Sequence, residues 1–105
     1  MIRRGDVWLV RLDPTVGSEL RKTRPCVIVS PDGLSHLPVH LIVPLTTGSL
    51  PSRFRPEVRF ANRVGLLVSD RMRSVDRTRM IRKIGRLQTV ELTTLLATLR
   101  EMFEE

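Results

Sequence analysis

The sequence predicts an α+β fold, a compact curled sheet or small barrel closed by one C-terminal helix. Three observations carry this. Strand-length apolar runs recur from Asp6 to Leu87, separated by turn-forming residues. From Thr89 the apolar period changes from strand-like to helical. The chain has 105 residues, 41% of them hydrophobic, which suits a single domain over residues 1–105 with one modest core. Aromatics are only 4%, so the core must be built mainly from Val, Leu and Ile.

The first strand is expected at Asp6 to Leu12, apolar on most of both faces, and Asp13-Pro14-Thr15 ends it. Val16 to Thr23 is polar, contains Gly17-Ser18 and reads as a loop. Arg24-Pro25 opens a second strand that runs through Cys26-Val27-Ile28-Val29-Ser30. Proline is tolerated at the first residue of a strand, where its missing donor falls outside the ladder. Pro31-Asp32-Gly33 is a turn signature. A third strand follows from about Val39 to Leu45, then the polar Thr46-Thr47-Gly48-Ser49 loop.

Ser52 to Arg63 reads as irregular, with a short strand at Glu57 to Phe60, and Gly65 to Ser69 forms another strand. Arg71 to Arg79 is expected as loop with a short helical turn, and Met80 to Leu87 as a last strand. Leu92, Leu95, Leu96, Leu99 and either Met102 or Phe103 then recur at helical spacing, with Thr89 as N-cap and Glu91 in the first turn. The helix is amphipathic, so its apolar face should lie on the sheet. Leu95, Leu99 and Met102 are candidates for a dimer face, although core is the expected place for most of them.

Charge narrows the function. The chain carries +7, and the stretch from Arg53 to Arg86 holds eleven basic residues against Glu57, Asp70 and Asp76. That stretch is at +8, which leaves the remainder at −1. Sixteen of the eighteen basic residues are Arg, the side chain that binds phosphate bidentately. A polyanion partner is the expectation, with backbone contact favoured over base stacking because aromatics are few. The alternative is a solvated face paired with the acidic helix end Glu101, Glu104 and Glu105. The single cysteine, Cys26, cannot form an internal disulfide and sits in an apolar run, so it reads as a buried small hydrophobe in a reducing compartment. No signal-like or bilayer-length apolar stretch is present, so the expected setting is cytoplasmic, without a membrane.

Standard catalytic and metal motifs are absent, and His36 and His40 lie in a turn and strand region, a poor frame for a metal pair. Two polar segments at strand ends carry more: Gly17-Ser18-Glu19-Leu20-Arg21-Lys22-Thr23-Arg24-Pro25 and Val43-Pro44-Leu45-Thr46-Thr47. With Arg4-Gly5-Asp6-Val7-Trp8, Gly65-Leu66-Leu67-Val68-Ser69-Asp70, Arg73-Ser74-Val75 and Ile84-Gly85-Arg86-Leu87, they resemble the MazF/PemK family of toxin endoribonucleases, in matching order over nearly the whole chain.

The resemblance implies an SH3-like antiparallel barrel with short and C-terminal helices, a homodimer, a cognate acidic antitoxin, and cleavage of single-stranded RNA without metal or other cofactor. Arg24 matches the family's catalytic arginine and Thr46 its catalytic threonine. Glu19 is expected as base or as the group that orients Arg24. Ser18, Arg21, Lys22, Thr47, Arg53, Arg55, Asp70 and Arg73 are the expected RNA contacts. Leu20 and Arg71 stand where Gln is frequent in the family, and the loop from Thr47 to Glu57 is unusually rich in Arg, so the cleavage sequence does not transfer. Gyrase-poisoning toxins share the implied barrel, and a non-catalytic RNA-binding module is a third reading. The Gly-Ser-Glu…Arg-Pro and Pro-Leu-Thr-Thr segments favour the ribonuclease.

Overall fold

The computed structural model describes residues 1–14, 17 and 22–105. Seven strands and one α-helix account for its regular structure: β1 Asp6–Arg11, β2 Thr23–Ile28, β3 Val39–Thr46, β4 Glu57–Phe60, β5 Arg63–Leu67, β6 Arg73–Asp76, β7 Met80–Arg86 and α1 Thr89–Met102. The strands form one antiparallel sheet in the order β4-β5-β3-β2-β1-β7, with β6 pairing β3 off that path. The sheet curls until its ends meet. The Phe60 ring of β4 lies so close over Gly85 of β7 that an added Cβ there would sit 2.8 Å from two ring carbons. A side chain at Gly85 would displace the Phe60 ring from this position.

Strand alternation divides the buried residues between the two faces. Val27 and Val43 join Val7, Leu45, Leu67, Leu95 and Leu99 in the core beneath α1. Cys26, Ile28 and Ile42, on the other parity, pack with Ile2, Val10, Leu12 and Val75. Burying each such aliphatic side chain contributes roughly 1.5–3 kcal/mol. Leu95 and Leu99 belong to the core, the place expected for most of these residues, and Met102 packs against the same cluster. Cys26 is fully buried, and burial pushes its thiol up to about 12, so it is an inert core residue.

Several boundaries differ from expectation. β1 stops at Arg11, and Leu12 turns away, its N–H bonded to the Lys22 carbonyl at 2.9 Å to close the base of the β1–β2 loop. β2 starts earlier, at Thr23, and ends at Ile28, so Pro25 is its third residue. β3 extends to Thr46. β5 begins at Arg63 and ends at Leu67, because Ser69–Arg71 is a 3-10 turn. β7 ends at Arg86. The segment expected as loop after Arg71 contains β6, which pairs with β3 from Val39↔Asp76 to Ile42↔Arg73. The short helices are three 3-10 turns, at Asp32–Leu34, Ser69–Arg71 and Arg77–Arg79. Gln88, rather than Thr89, caps α1: its backbone N–H donates to the Glu91 carboxylate at 3.2 Å.

His40 of β3 is 1% exposed, and neither ring nitrogen has a hydrogen-bond partner among the described residues. Burial, reinforced by the Arg77 charge, lowers its pKa below the ordinary 6.5. A depressed histidine contributes stability that is full above its unfolded pKa and is lost as pH falls toward the lower folded value. The denaturation midpoint should therefore drop between about pH 7.5 and about pH 5, and the drop should shrink in His40→Leu. An equal drop in both proteins would remove His40 as its cause.

Candidate active-site cleft

The cleft starts where the β2–β3 ladder stops. Those strands pair at Ile28↔Ile42, Val27↔Val43 and Cys26↔Pro44 and no further. The next residue of β2 is Pro25, which has no N–H to give, and Pro44 lacks one as well. Both strands nevertheless continue. β2 stays paired to β1 through Pro25↔Leu9, Arg24↔Val10 and Thr23↔Arg11. β3 turns to β5 through Leu45↔Leu67 and Thr46↔Leu66. Extending the β2–β3 register by two residues brings Arg24 opposite Thr46 across this unladdered stretch.

A cleft of about 280 Å³ opens there. Arg24 and Pro25 line it from β2, and Leu45, Thr46 and Thr47 from β3 and its exit. The remaining wall is Phe60, Ala61, Arg63 and Gly65 of the β4–β5 hairpin, with Ile84 of β7. Arg24 is half-buried on β2, where its backbone is paired to Val10 of β1. Thr46 is buried, and its Oγ1 accepts a hydrogen bond from the Gly48 N–H at 3.2 Å. That bond orients the hydroxyl and leaves its own proton available to donate to a bound anion. The site thus sets a cation and a hydroxyl donor in the lining of one cleft with an apolar floor, groups suited to an anionic ligand.

The other expected site residues are distributed differently. Lys22 is exposed at the base of the β1–β2 loop, in a left-handed conformation (φ 65°). Ser18, Glu19 and Arg21 lie outside the described residues. Arg55 and Asp70 bind each other in a fork, Nε to Oδ1 at 2.9 Å and Nη2 to Oδ2 at 2.8 Å, and Arg55 also donates to the Leu50 carbonyl. This pairing, by its hydrogen bond first, holds the Asp70 carboxyl below its usual range. Both line a separate depression with Ser52, Phe54 and Met102. Arg53 pairs with Glu101 of α1 and lies 4.6 Å over the Phe54 ring. Arg73 donates to the Leu12 carbonyl at 3.3 Å.

The basic stretch is thus partly neutralised within the fold. Besides the Arg53 and Arg55 pairs, Arg86 and Lys83 share the buried Asp6, at 2.9 and 3.3 Å. The pairing of the helix end with the basic region holds at Glu101. Among the described residues no three His, Cys, Asp or Glu side chains gather as a metal site, and no helix is long and apolar enough to cross a membrane.

Sequence reading missed the hairpin wall. Its turn is Ala61-Asn62, both at positive φ (52° and 63°), the conformation that two-residue hairpins require. The usable signal was Asn62, a residue that tolerates this conformation, immediately after an alternating strand.

The model of a family described as PemK-like, MazF-like toxins of type II toxin–antitoxin systems matches residues 3–103. The chain is 34% identical over 106 residues to the endoribonuclease MazF9 of Mycobacterium tuberculosis, covering 90% of each chain. It is 41% identical over 71 residues to the endoribonuclease PemK of Escherichia coli, covering 65% of this chain and 45% of that one. Among solved structures, MazF of Deinococcus radiodurans superimposes with a TM-score of 0.83 at 19% identity, over 95% of this chain and 94% of its own. A mycobacterial endoribonuclease solved with its cognate antitoxin gives 0.80 at 16% identity, over 96% and 93%.

Proposed function

The chain belongs to the PemK-like, MazF-like toxins of type II toxin–antitoxin systems, and we propose that it is a sequence-selective endoribonuclease that cuts single-stranded RNA by attack of the ribose on its own phosphodiester. The observation that carries this reading is the convergence of Arg24 and Thr46 on one cleft.

In the proposed reaction the 2′-oxygen attacks the adjacent phosphorus and the bond from phosphorus to the 5′-oxygen of the next nucleotide breaks. The products are a 2′,3′-cyclic phosphate and a 5′-hydroxyl. One proton leaves the 2′-hydroxyl and one reaches the departing 5′-oxygen. Negative charge grows on the non-bridging oxygens, where the Arg24 guanidinium and the Thr46 hydroxyl stabilise it. Glu19 is the proposed base or the group orienting Arg24. Lys22 and Thr47, with Ser18 and Arg21, hold the RNA near the cut. Arg53, Arg55, Asp70 and Arg73 are proposed contacts farther along the strand, and the first three must exchange an internal ion pair for it. No metal takes part in these steps.

The proposed assembly is a homodimer held inactive by a cognate acidic antitoxin. The basic stretch from Arg53 to Arg86 supplies the charge such a partner needs, and a structural neighbour was solved with its antitoxin. Purified protein incubated with mixed-sequence single-stranded RNA in EDTA should produce discrete fragments. RNA that stays intact across a wide range of sequences would reject the enzyme.

A further inference from the structure

Arg63 is the charged residue of the cleft lining that no part of the proposed reaction uses. It opens β5, immediately after the Ala61-Asn62 turn, and is exposed. Among the described residues it has no ion-pair partner, unlike Arg53, Arg55 and Arg86. Its direction follows from Gly65. A Cβ at Gly65 would lie 3.1 Å from the Thr46 carbonyl oxygen and 3.1 Å from Leu45 Cδ1, so that face of β5 presses directly on β3 at Thr46. Residues two apart on a strand share a face. Arg63 therefore leaves β5 on the side that meets Thr46, one step nearer the hairpin tip, and it lines the cleft.

Arg24 and Arg63 thus enter the cleft from opposite walls, β2 and the β4–β5 hairpin. At about 280 Å³ the cleft is at the small end of ligand sites, typically ~300–1,000 Å³, with space for about one nucleotide. A strand threading it must place phosphates on both sides of that nucleotide, and only one of them is the phosphate that is cut. We infer that Arg63 is a substrate-binding residue that clamps the backbone phosphate next to the scissile one, so that the β4–β5 hairpin holds RNA in register against Arg24 and Thr46. This rests on the ribonuclease reading. It adds a residue whose work is binding, so its loss is felt in KM and in salt dependence rather than in kcat.

The test uses labelled single-stranded DNA of mixed sequence, which lacks the 2′-hydroxyl and reports binding without cleavage. Anisotropy is measured from about 50 to about 200 mM salt. Arg63→Gln should weaken binding several-fold at low salt and flatten the slope of log K against log salt by ~0.7, the value of one phosphate contact on a single strand. Arg63→Lys should keep the slope. Arg3→Gln, which removes the same charge away from the cleft, should leave it unchanged. With RNA, Arg63→Gln should raise KM several-fold at nearly unchanged kcat. An unaltered slope in Arg63→Gln, an equal loss in Arg3→Gln, or no DNA binding by the wild type overturns the clamp. If the wild type fails to cut RNA while the slope still falls at Arg63, the nuclease reading fails and takes the scissile phosphate with it, and only the phosphate contact at Arg63 stands.

Discussion

Arg24→Ala should lower RNA cleavage by ~10²–10³-fold or more while the protein stays folded. The size of the effect follows from what Arg24 faces. In-line attack concentrates negative charge on the non-bridging oxygens, and a preorganised donor is worth most when it needs no rearrangement as that charge develops. The side chain starts from a backbone position paired to β1 at Arg24↔Val10, so its Cα is held by the sheet. Arg24→Lys keeps the charge but loses the planar fork, and should recover only part of the rate. Thr46→Ala removes the hydroxyl together with a buried methyl group and should also impair turnover strongly. Single-turnover cleavage of a labelled RNA measures all three, with circular dichroism as the folding check. Near-normal turnover in folded Arg24→Ala would end the assignment.

The residues that build the cleft differ in how far the sequence exposes them. Arg24, Thr46 and Thr47 were named only through the likeness of two segments to a family. Composition alone reads them as a surface residue before proline and a strand-end cap. Arg53, Arg55 and Asp70 stand beside them as expected RNA contacts, yet Arg53 and Arg55 are occupied by Glu101 and Asp70. Charge counting sees how much positive charge is present and not which carboxylates the fold brings to it. The hairpin wall was hidden for a third reason. Its place at the cleft depends on the curl that sets Phe60 over Gly85 and on the close pass of Gly65 over Thr46, and both are long-range packing facts.

The same logic sorts the elements of the fold. α1 was readable because its apolar residues repeat at 3.6, and β4 because a short alternating run gave its bounds as observed. β6 was not, since Arg73-Ser74-Val75-Asp76 contains one apolar residue, and it becomes a strand only because β3 offers an open edge to pair with. The start of β5 was missed because Arg63-Val64 are exposed and their turn lacks the expected glycine. The cap of α1 shifted from Thr89 to Gln88 because the Glu91 carboxylate reaches back to the Gln88 N–H.

The most direct measurement compares two RNA oligonucleotides that differ by one oxygen. Both carry a sequence the protein cuts, and one has a single 2′-deoxy sugar at the nucleotide just before the broken bond. If the ribose is the nucleophile, removing that hydroxyl removes the attacking atom, and no placement of Arg24 or Thr46 can compensate. The two substrates are incubated side by side in EDTA, and fragments are resolved by mass. The expected result is cleavage of the all-ribose strand to a cyclic phosphate and a 5′-hydroxyl, with the deoxy strand intact at that bond. Cleavage of the deoxy strand at the same bond would show that water is the nucleophile and would contradict the mechanism proposed for this cleft.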